Sequence, residues 1–206
     1  MVICDFGGVL TTPLFHAFAR VQADSGIPFE ALGKALARIT VEDGAHPLWE
    51  LEKGNMSEPD FVARLERAVS AEVGRHVAMH EFSDRYWAHL HPNDELIDYM
   101  AALRDRGYRM AMLTNNVREW EPRWRAMLPV DEIFELVVDS GFVGMRKPDP
   151  EIYELTCERL GVEAGECAFL DDIKLNCQTA RELGMTAVRF EETSQAIRDL
   201  EAVLAT

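Results

Sequence analysis

Four short segments of this chain carry side chains that could act together on a phosphate group. In the first, DFGGVL, the carboxylate of Asp5 follows three apolar residues and precedes two glycines. The other three segments are MLTNN, GMRKPDPEIY and FLDDIKLN. Their reactive side chains are two polar residues, one cation and two carboxylates: Thr114, Asn115, Lys147, Asp171 and Asp172. A carboxylate at the end of a buried strand is costly unless a group binds it, so Asp5 is a candidate nucleophile or metal ligand.

The acidic members of this set have the chemistry of a magnesium site and of a nucleophile. Mg²⁺ takes oxygen ligands and keeps several waters, and Asp5, Asp172 and the backbone carbonyl of Gly7 could supply them. The carboxylate of Asp5 could also attack phosphorus and form an aspartyl-phosphate. Purely structural explanations stay open, because an aspartate can end a strand in a turn. Paired aspartates before a helix, such as Asp171 and Asp172, can also serve to compensate its dipole.

The polar and cationic members could hold the phosphate oxygens. The hydroxyl of Thr114, the amide of Asn115 and the ammonium of Lys147 would stabilise charge as it shifts in the transition state. Each also has a structural explanation: a strand-terminal Thr-Asn is commonly a turn, and Asp149 and Pro150 suit the start of a helix. All four segments in order, each at a strand end or a helix start, favour the chemical interpretation.

The second half of the chain repeats a helix, a glycine and an apolar strand three times. NDELIDYMAALRDRG precedes YRMAMLTNN, EIYELTCERLG precedes CAFLDD, and NCQTARELG precedes MTAVRF. This alternation predicts βα units and a parallel sheet, with a last helix in TSQAIRDLEAVLAT. Because the carboxyl ends of parallel strands meet at one edge of the sheet, we expect the polar side chains there to lie together.

The segment between the first and second of these strands lacks this alternation and reads as a run of helices. SEPDFVARLERAV is the clearest of them, with Ser57 and Asp60 as a capping pair before an apolar face. We therefore predict an α/β core formed by residues 1–11 and 93–206. An α-helical cap, residues 12–92, would be inserted after the first strand, at the edge that carries the polar residues.

The composition is that of a globular protein, with 206 residues, 48% hydrophobic residues and a formal net charge of -15. The acidic balance argues against nucleic acid and anionic membranes as partners, because phosphate contacts need a basic surface. No segment is long and apolar enough to cross a bilayer, and no secretion signal is expected. The four cysteines lack metal-binding spacing and predict buried thiols in a reducing compartment. We expect a cytoplasmic monomer or homodimer.

The ordered segments resemble the haloacid dehalogenase (HAD) superfamily of hydrolases, subfamily IA. The stretch GFVGMRKPDPEIYELTCERLGV, together with CAFLDDIKLNCQTARELGM, is most similar to the phosphatase domain at the N-terminus of soluble epoxide hydrolase and to its bacterial relatives. The resemblance covers nearly the whole chain. It implies a Rossmann-like core, a helical cap, Mg²⁺ as the cofactor and a small phosphorylated metabolite as the substrate.

The resemblance also implies roles for the residues that match the family's motifs. Asp5 would be the catalytic nucleophile, and Thr114 and Lys147 would bind phosphate. Asp172 would bind the metal, and Asp171 would be a second metal ligand or a partner behind the first. Asn176, at the end of DDIKLN, would support the loop rather than take part in catalysis.

One position departs from the family pattern. Phosphatases of this family usually carry a second aspartate two residues after the nucleophile, where this chain has Gly7. Glycine still offers a carbonyl to the metal but carries no proton, and general acid–base help is worth ~10²–10⁴-fold in rate. His16 is the histidine nearest to the site in sequence, although a cap-helix histidine without a catalytic role is the simpler explanation.

Two other functions stay open from the sequence. A 2-haloacid dehalogenase would use the same aspartate to attack carbon without a metal, but the paired Asp171 and Asp172 argue against it. A catalytically weak or inactive phospho-ligand binding protein is suggested by Gly7 alone. The alcohol part of a substrate would meet the cap, whose aromatic residues Phe15, Phe18 and Trp49 are expected in its core rather than in a pocket.

Overall fold

A five-stranded parallel sheet lies at the centre of the computed structural model, which describes residues 1–13, 26–79 and 81–205. The strands are β1 (Val2–Cys4), β2 (Met110–Thr114), β3 (Leu136–Asp139), β4 (Ala168–Asp171) and β5 (Thr186–Arg189). Their order in the sheet is β3-β2-β1-β4-β5, so the first strand lies between β2 and β4. The predicted α/β fold with a parallel sheet is confirmed.

Helices connect and cover the strands. In chain order they are α1 (Phe29–Asp43), α2 (Pro47–Glu52), α3 (Glu58–Val73), α4 (Phe82–Ala88), α5 (Asp94–Asp105), α6 (Glu121–Arg125), α7 (Val130–Ile133), α8 (Ser140–Val143), α9 (Pro150–Leu160), α10 (Lys174–Glu182) and α11 (Thr193–Leu204). Two short 3₁₀ helices, Arg118–Trp120 and Ala164–Glu166, precede α6 and β4. None of the helices in the described part of the chain combines the length and the apolar character needed to cross a membrane.

The sheet is buried on both faces, as expected for parallel strands covered by helices. Along β1, Val2 and Cys4 point into one apolar layer, and Ile3 points into the other. This alternation follows from the period of two along a strand. The strand is therefore apolar throughout, and the first charged side chain after it, Asp5, marks the point where the chain leaves the sheet.

The sequence pattern missed β3. Its segment Leu136–Asp139 follows the short helices α6 and α7 instead of a long amphipathic helix, so it lacks the repeat that marked the other strands. The strand lies at one edge of the sheet, and its first two residues are only partly buried. β5 is also a four-residue edge strand, but the helix α10 and Gly184 precede it, so the missing repeat explains why β3 was not predicted.

The helical segment between β1 and β2 leaves and returns at one place. Thr11 and Pro92 form an isolated antiparallel bridge, and the N–H of Thr12 donates to the carbonyl of His91 at 2.8 Å. Asn93 then caps α5 and also donates through its amide to the carbonyl of Val9 at 3.0 Å. In the described part of this segment, α1 and α3 pack against each other and α2 contacts both.

Candidate active site

Three carboxylates and one lysine from distant segments meet at the carboxyl edge of the sheet. One oxygen from each of Asp5, Asp171 and Asp172 lies within 4.8 Å of the others. The Nζ atom of Lys147 is 2.8 Å from Oδ1 of Asp5 and 2.7 Å from Oδ2 of Asp171. Lys147 is 1% exposed and Asp171 is fully buried. Buried charges require such pairing, so the lysine fixes both carboxylates in place.

The two central strands bring these groups together. The N–H of Asp5, directly after β1, donates to the carbonyl of Leu170 in β4 at 2.9 Å. Asp171, the last residue of β4, is held further by the N–H of Ile173 at 2.8 Å. The amide of Asn176, in the first turns of α10, donates to both oxygens of Asp171, at 3.0 and 3.1 Å. Asn176 therefore orients Asp171, in agreement with the supporting role expected for it.

Gly8 allows the close approach of Asp172. Its φ of +81° lies in the left-handed region, which a side chain disfavours. A Cβ atom at this position would lie 2.7 Å from Oδ2 of Asp172, inside van der Waals contact. Gly8 is thus needed both for the turn and for the position of the Asp172 carboxylate.

Burial and mutual repulsion shift the protonation equilibria of this cluster. Burial raises the pKa of Asp5 above its ordinary value, although the charge of Lys147 opposes the shift. Burial, reinforced by the charge of Asp171, raises the pKa of Asp172 to about 6. Burial alone would lower the pKa of Lys147, but the charges of Asp171 and Asp5 raise it instead, so the ammonium stays protonated.

The cluster fits a hard divalent cation. Its donors are all carboxylate oxygens, which suit Mg²⁺. The carboxylate of Asp172 accepts no hydrogen bond from another described residue, and Oδ2 of Asp5 likewise has no donor in the described chain. A cation among these oxygens would offset the repulsion that raises their pKa values.

Thr114 and Asn115 follow at the end of the neighbouring strand β2. Thr114 is 1% exposed, and its hydroxyl forms no hydrogen bond with another described residue. The side chain of Asn115 accepts from the backbone N–H of Lys147 at 2.8 Å and donates to its carbonyl at 2.9 Å. Asn115 therefore holds the backbone of Lys147, and an amide group retains a second N–H for a ligand.

A cavity of about 80 Å³ opens beside this site, between the inserted helices and the core. We call it the apolar cavity. Its described wall includes Gly7, Glu52, Asn115 and Asn116. The rest of that wall is apolar or aromatic: Phe6, Leu48, Tyr86, Trp87, Leu90, Val117 and Trp120.

The sequence did not identify the aromatic wall. His16, Phe15 and Phe18 lie outside the described residues. Trp49, expected in the core of the cap, is half exposed and contacts the ring of His46 and the guanidinium of Arg146 instead. That prediction is wrong for Trp49, because α2 turns this side chain away from the interior. Tryptophans at helical spacing cannot be separated into core and cavity positions without the packing of the helices.

The fold and the site define a Rossmann-like α/β protein with a buried carboxylate–lysine cluster at the carboxyl edge of its sheet. The family model of the haloacid dehalogenase-like hydrolases matches residues 1–184. The chain therefore belongs to this family, and the resemblance predicted from the four segments is confirmed.

This chain covers 38% of the length of one similar protein and 94% of the length of another. The chain is 27% identical over 214 residues to bifunctional epoxide hydrolase 2 of Mus musculus, covering 98% of this chain and 38% of that protein. It is 28% identical to a protein named phosphatase MT3486 of Mycobacterium tuberculosis, covering 98% of this chain and 94% of that protein. The fold is also that of a HAD family enzyme of Bacteroides thetaiotaomicron solved with magnesium and inorganic phosphate (TM-score 0.69, 21% identity, covering 92% of this chain and 93% of that one).

Proposed function

We propose that this protein is a Mg²⁺-dependent phosphatase that hydrolyses small phosphate monoesters through an aspartyl-phosphate on Asp5. The observation that carries the proposal is the cluster of Asp5, Asp171 and Asp172 around the buried ammonium of Lys147. The family membership and the phosphatase names of several relatives support the same reaction.

Asp5 is the nucleophile in this proposal. Its Oδ1 accepts from the N–H of Phe6 at 2.7 Å and lies 2.8 Å from Nζ of Lys147. One oxygen of the carboxylate would attack phosphorus, and the other would face the cation. Lys147 and the N–H of Phe6 hold the carboxylate in one orientation, and the charge of Lys147 opposes the rise in the pKa of Asp5 that burial causes. Such preorganisation lowers the barrier, because the attacking atom needs no rearrangement.

Asp5, Asp172 and the carbonyl of Gly7 would hold Mg²⁺, with Asp171 as a further ligand or as a partner behind them. The bound cation would supply charge stabilisation for the phosphate and relieve repulsion from the carboxylates. Thr114, through its hydroxyl, and Asn115, through its remaining amide N–H, would donate to phosphate oxygens, and Lys147 would face them as the nearby cation.

The helices inserted between β1 and β2 would act as the cap, residues 12–92, and contact the alcohol part of the ester. The bridge between Thr11 and Pro92 supports these limits. The four cysteines are buried and unpaired, as in proteins of a reducing compartment, which supports a cytoplasmic location.

Gly7 provides no acid for the leaving group, so we expect the highest rates with esters of acidic alcohols. The test is hydrolysis of p-nitrophenyl phosphate with Mg²⁺ and with excess EDTA, by wild type and by Asp5→Asn. Removal of the nucleophile should lower kcat by on the order of 10³-fold or more, and EDTA should abolish turnover reversibly.

The matched control is Asp98→Asn, which removes one exposed carboxylate from α5 and should leave the rate unchanged. Wild-type activity in the Asp5→Asn variant would refute the role given to Asp5. Release of chloride from chloroacetate by the metal-free protein, without phosphatase activity, would favour the dehalogenase reaction instead.

A further inference from the structure

We propose that the site selects phosphate monoesters of neutral, largely apolar alcohols, and that Glu52 is the specificity residue that excludes esters carrying a second anionic group. This inference rests on the proposed phosphatase function and adds a substrate class to it.

The walls of the apolar cavity carry the first part of the inference. Gly7 and Asn115 belong to the wall, so the cavity adjoins the carboxylate cluster where the phosphate would bind. Tyr86 and Trp120 stack with their ring centroids 5.1 Å apart, and Trp87 meets Trp120 edge-on at 5.6 Å. These rings give an apolar group a large contact surface, and desolvating that group is favourable.

Apolar character continues beyond the cavity. A second cavity, of about 70 Å³, lies behind Leu48 and Trp120, which line both spaces. Its other described walls are apolar side chains of α1, α2, α3 and α4, apart from Glu58 at the start of α3. The surroundings of the alcohol group are therefore apolar to a depth of more than one layer of side chains.

The charges around the apolar cavity carry the second part. Glu52 is the one carboxylate in the described wall, and none of the described wall residues is lysine, arginine or histidine. Glu52 and Tyr86 belong to the same described wall, and the charge of Glu52 adds to burial in raising the pKa of Tyr86. A second anion on the substrate would thus meet the carboxylate of Glu52 and find no cation among the described wall residues.

Two cations that contact residues of this wall, Arg146 at Glu52 and Lys147 at Asn115, are already paired. The Nε of Arg146 is 2.7 Å from Oε2 of Glu52, and both side chains are 17% exposed. Lys147 is held between Asp5 and Asp171. The backbone of Glu52 is fixed in place, because the hydroxyl of Ser140 donates to the backbone carbonyl of Glu52 at 2.6 Å. Glu52 therefore neutralises Arg146, which would otherwise offer a binding partner to a carboxylate on the substrate.

Burying a charge without a partner is costly, and an unpaired or repelled charge is a common way to reject a wrong ligand. The cost of placing like charges side by side exceeds a factor of ten in affinity. Esters such as phosphoglycolate should consequently be poor substrates, although one relative, of Thiobacillus denitrificans, is named phosphoglycolate phosphatase.

The experiment compares isobutyl phosphate with phosphoglycolate at a fixed Mg²⁺ concentration. Both are primary alkyl esters of nearly the same shape, and an isopropyl group in isobutyl phosphate replaces the carboxylate of phosphoglycolate. Wild type should show a kcat/KM at least about tenfold higher for isobutyl phosphate. Benzyl phosphate should exceed both, because its ring can pack against Tyr86, Trp87 and Trp120.

Glu52→Gln should lower the ratio of kcat/KM for isobutyl phosphate over phosphoglycolate by about tenfold, chiefly by improving KM for phosphoglycolate, since Arg146 becomes available. The matched control is Glu50→Gln, which removes a carboxylate of the same helix that pairs with Lys53 and should leave the ratio unchanged. Inhibition of wild type by isobutylphosphonate and by phosphonoacetate measures the same preference without turnover, so the test stands even if Glu52→Gln fails to fold.

The outcomes separate the two proposals. Hydrolysis of phosphoglycolate as efficient as that of isobutyl phosphate would overturn the inference and leave the phosphatase function intact. An unchanged ratio in folded Glu52→Gln would overturn the role of Glu52. Absence of turnover of these esters and of p-nitrophenyl phosphate would overturn the proposed function itself.

Discussion

Gly8→Ala should damage the site more than it damages the fold. Gly8 has a φ of +81°, and Gly44, in the turn after α1, has a φ of +74°. An alanine at either position pays a similar cost of ~1–2 kcal/mol for the left-handed backbone. At Gly44 the new Cβ would meet nothing within 4 Å, whereas at Gly8 it would lie 2.7 Å from Oδ2 of Asp172.

The additional effect at Gly8 follows from that contact. Ordinary van der Waals contact begins at 3.4 Å, so the carboxylate of Asp172 must move by about 0.7 Å to accommodate a methyl group at 2.7 Å. Catalytic groups tolerate displacements of ~0.5 Å, and an error of ~1 Å costs ~10²-fold in rate. We therefore expect Gly8→Ala to lower kcat/KM by ~10–100-fold and to raise the Mg²⁺ concentration needed for half-maximal activity.

Urea unfolding and Mg²⁺-dependent phosphatase assays on both variants provide the test. The free energies of unfolding of Gly8→Ala and Gly44→Ala should fall by amounts that agree within ~1 kcal/mol. Gly44→Ala should keep the wild-type Mg²⁺ dependence. If the two variants have the same activity and the same Mg²⁺ dependence, the reasoning about Asp172 is wrong.

Two further predictions concern buried charges. Lys147→Met should lower the free energy of unfolding by ~3–5 kcal/mol, because it leaves Asp5 and Asp171 buried without their cation. Urea unfolding measures this loss, and added Mg²⁺ should restore part of it. A decrease of less than ~1 kcal/mol would contradict the prediction. Asp139→Asn should raise the free energy of unfolding relative to wild type by more at pH 7.5 than at pH 4.5, because burial raises the pKa of Asp139 from 3.8 to about 6. The free energy of unfolding of wild type increases by up to ~3 kcal/mol as the pH falls through 6 toward 3.8, and the variant lacks this increase. The amide oxygen of the new asparagine can still accept the hydrogen bond that Oδ1 of Asp139 accepts from the N–H of Gly141. Unfolding curves at both pH values should show the difference, and an equal difference at the two pH values would refute it.

The fold was predictable where local pattern and tertiary environment agree. Asn93 caps α5 as expected, since its side chain accepts from the N–H of Leu96. Ser57 caps α3 by accepting from the N–H of Asp60. The apolar strands after α5 and α9 were visible for the same reason, because a buried parallel strand must be apolar along its whole length. The edge strands β3 and β5 are both partly exposed, and only β5 was visible, because a longer helix and Gly184 precede it whereas β3 follows two short helices.

The site was predictable in its residue types but not in its internal contacts. The order of the four segments placed Asp5, Lys147 and Asp171 at one edge of a parallel sheet, and this is where they lie. The side chain of Asn115 forms two hydrogen bonds with the backbone of Lys147. These contacts depend on a loop geometry that no sequence pattern indicates. The pairing of Glu52 with Arg146 joins residues 94 positions apart, and no local pattern indicates it.

The charges of the cluster explain why metal and phosphate should bind together. Three carboxylates and one ammonium leave two negative charges uncompensated in a buried site when all are ionised. A phosphate dianion would add to this repulsion, whereas a divalent cation would cancel it. Each ligand must then raise the affinity for the other, because coupling between two sites is reciprocal. Lys147 balances only one of the three carboxylates. In the proposed function, the lysine would therefore stabilise the fold of the site, and a bound divalent cation would make the site receptive to phosphate.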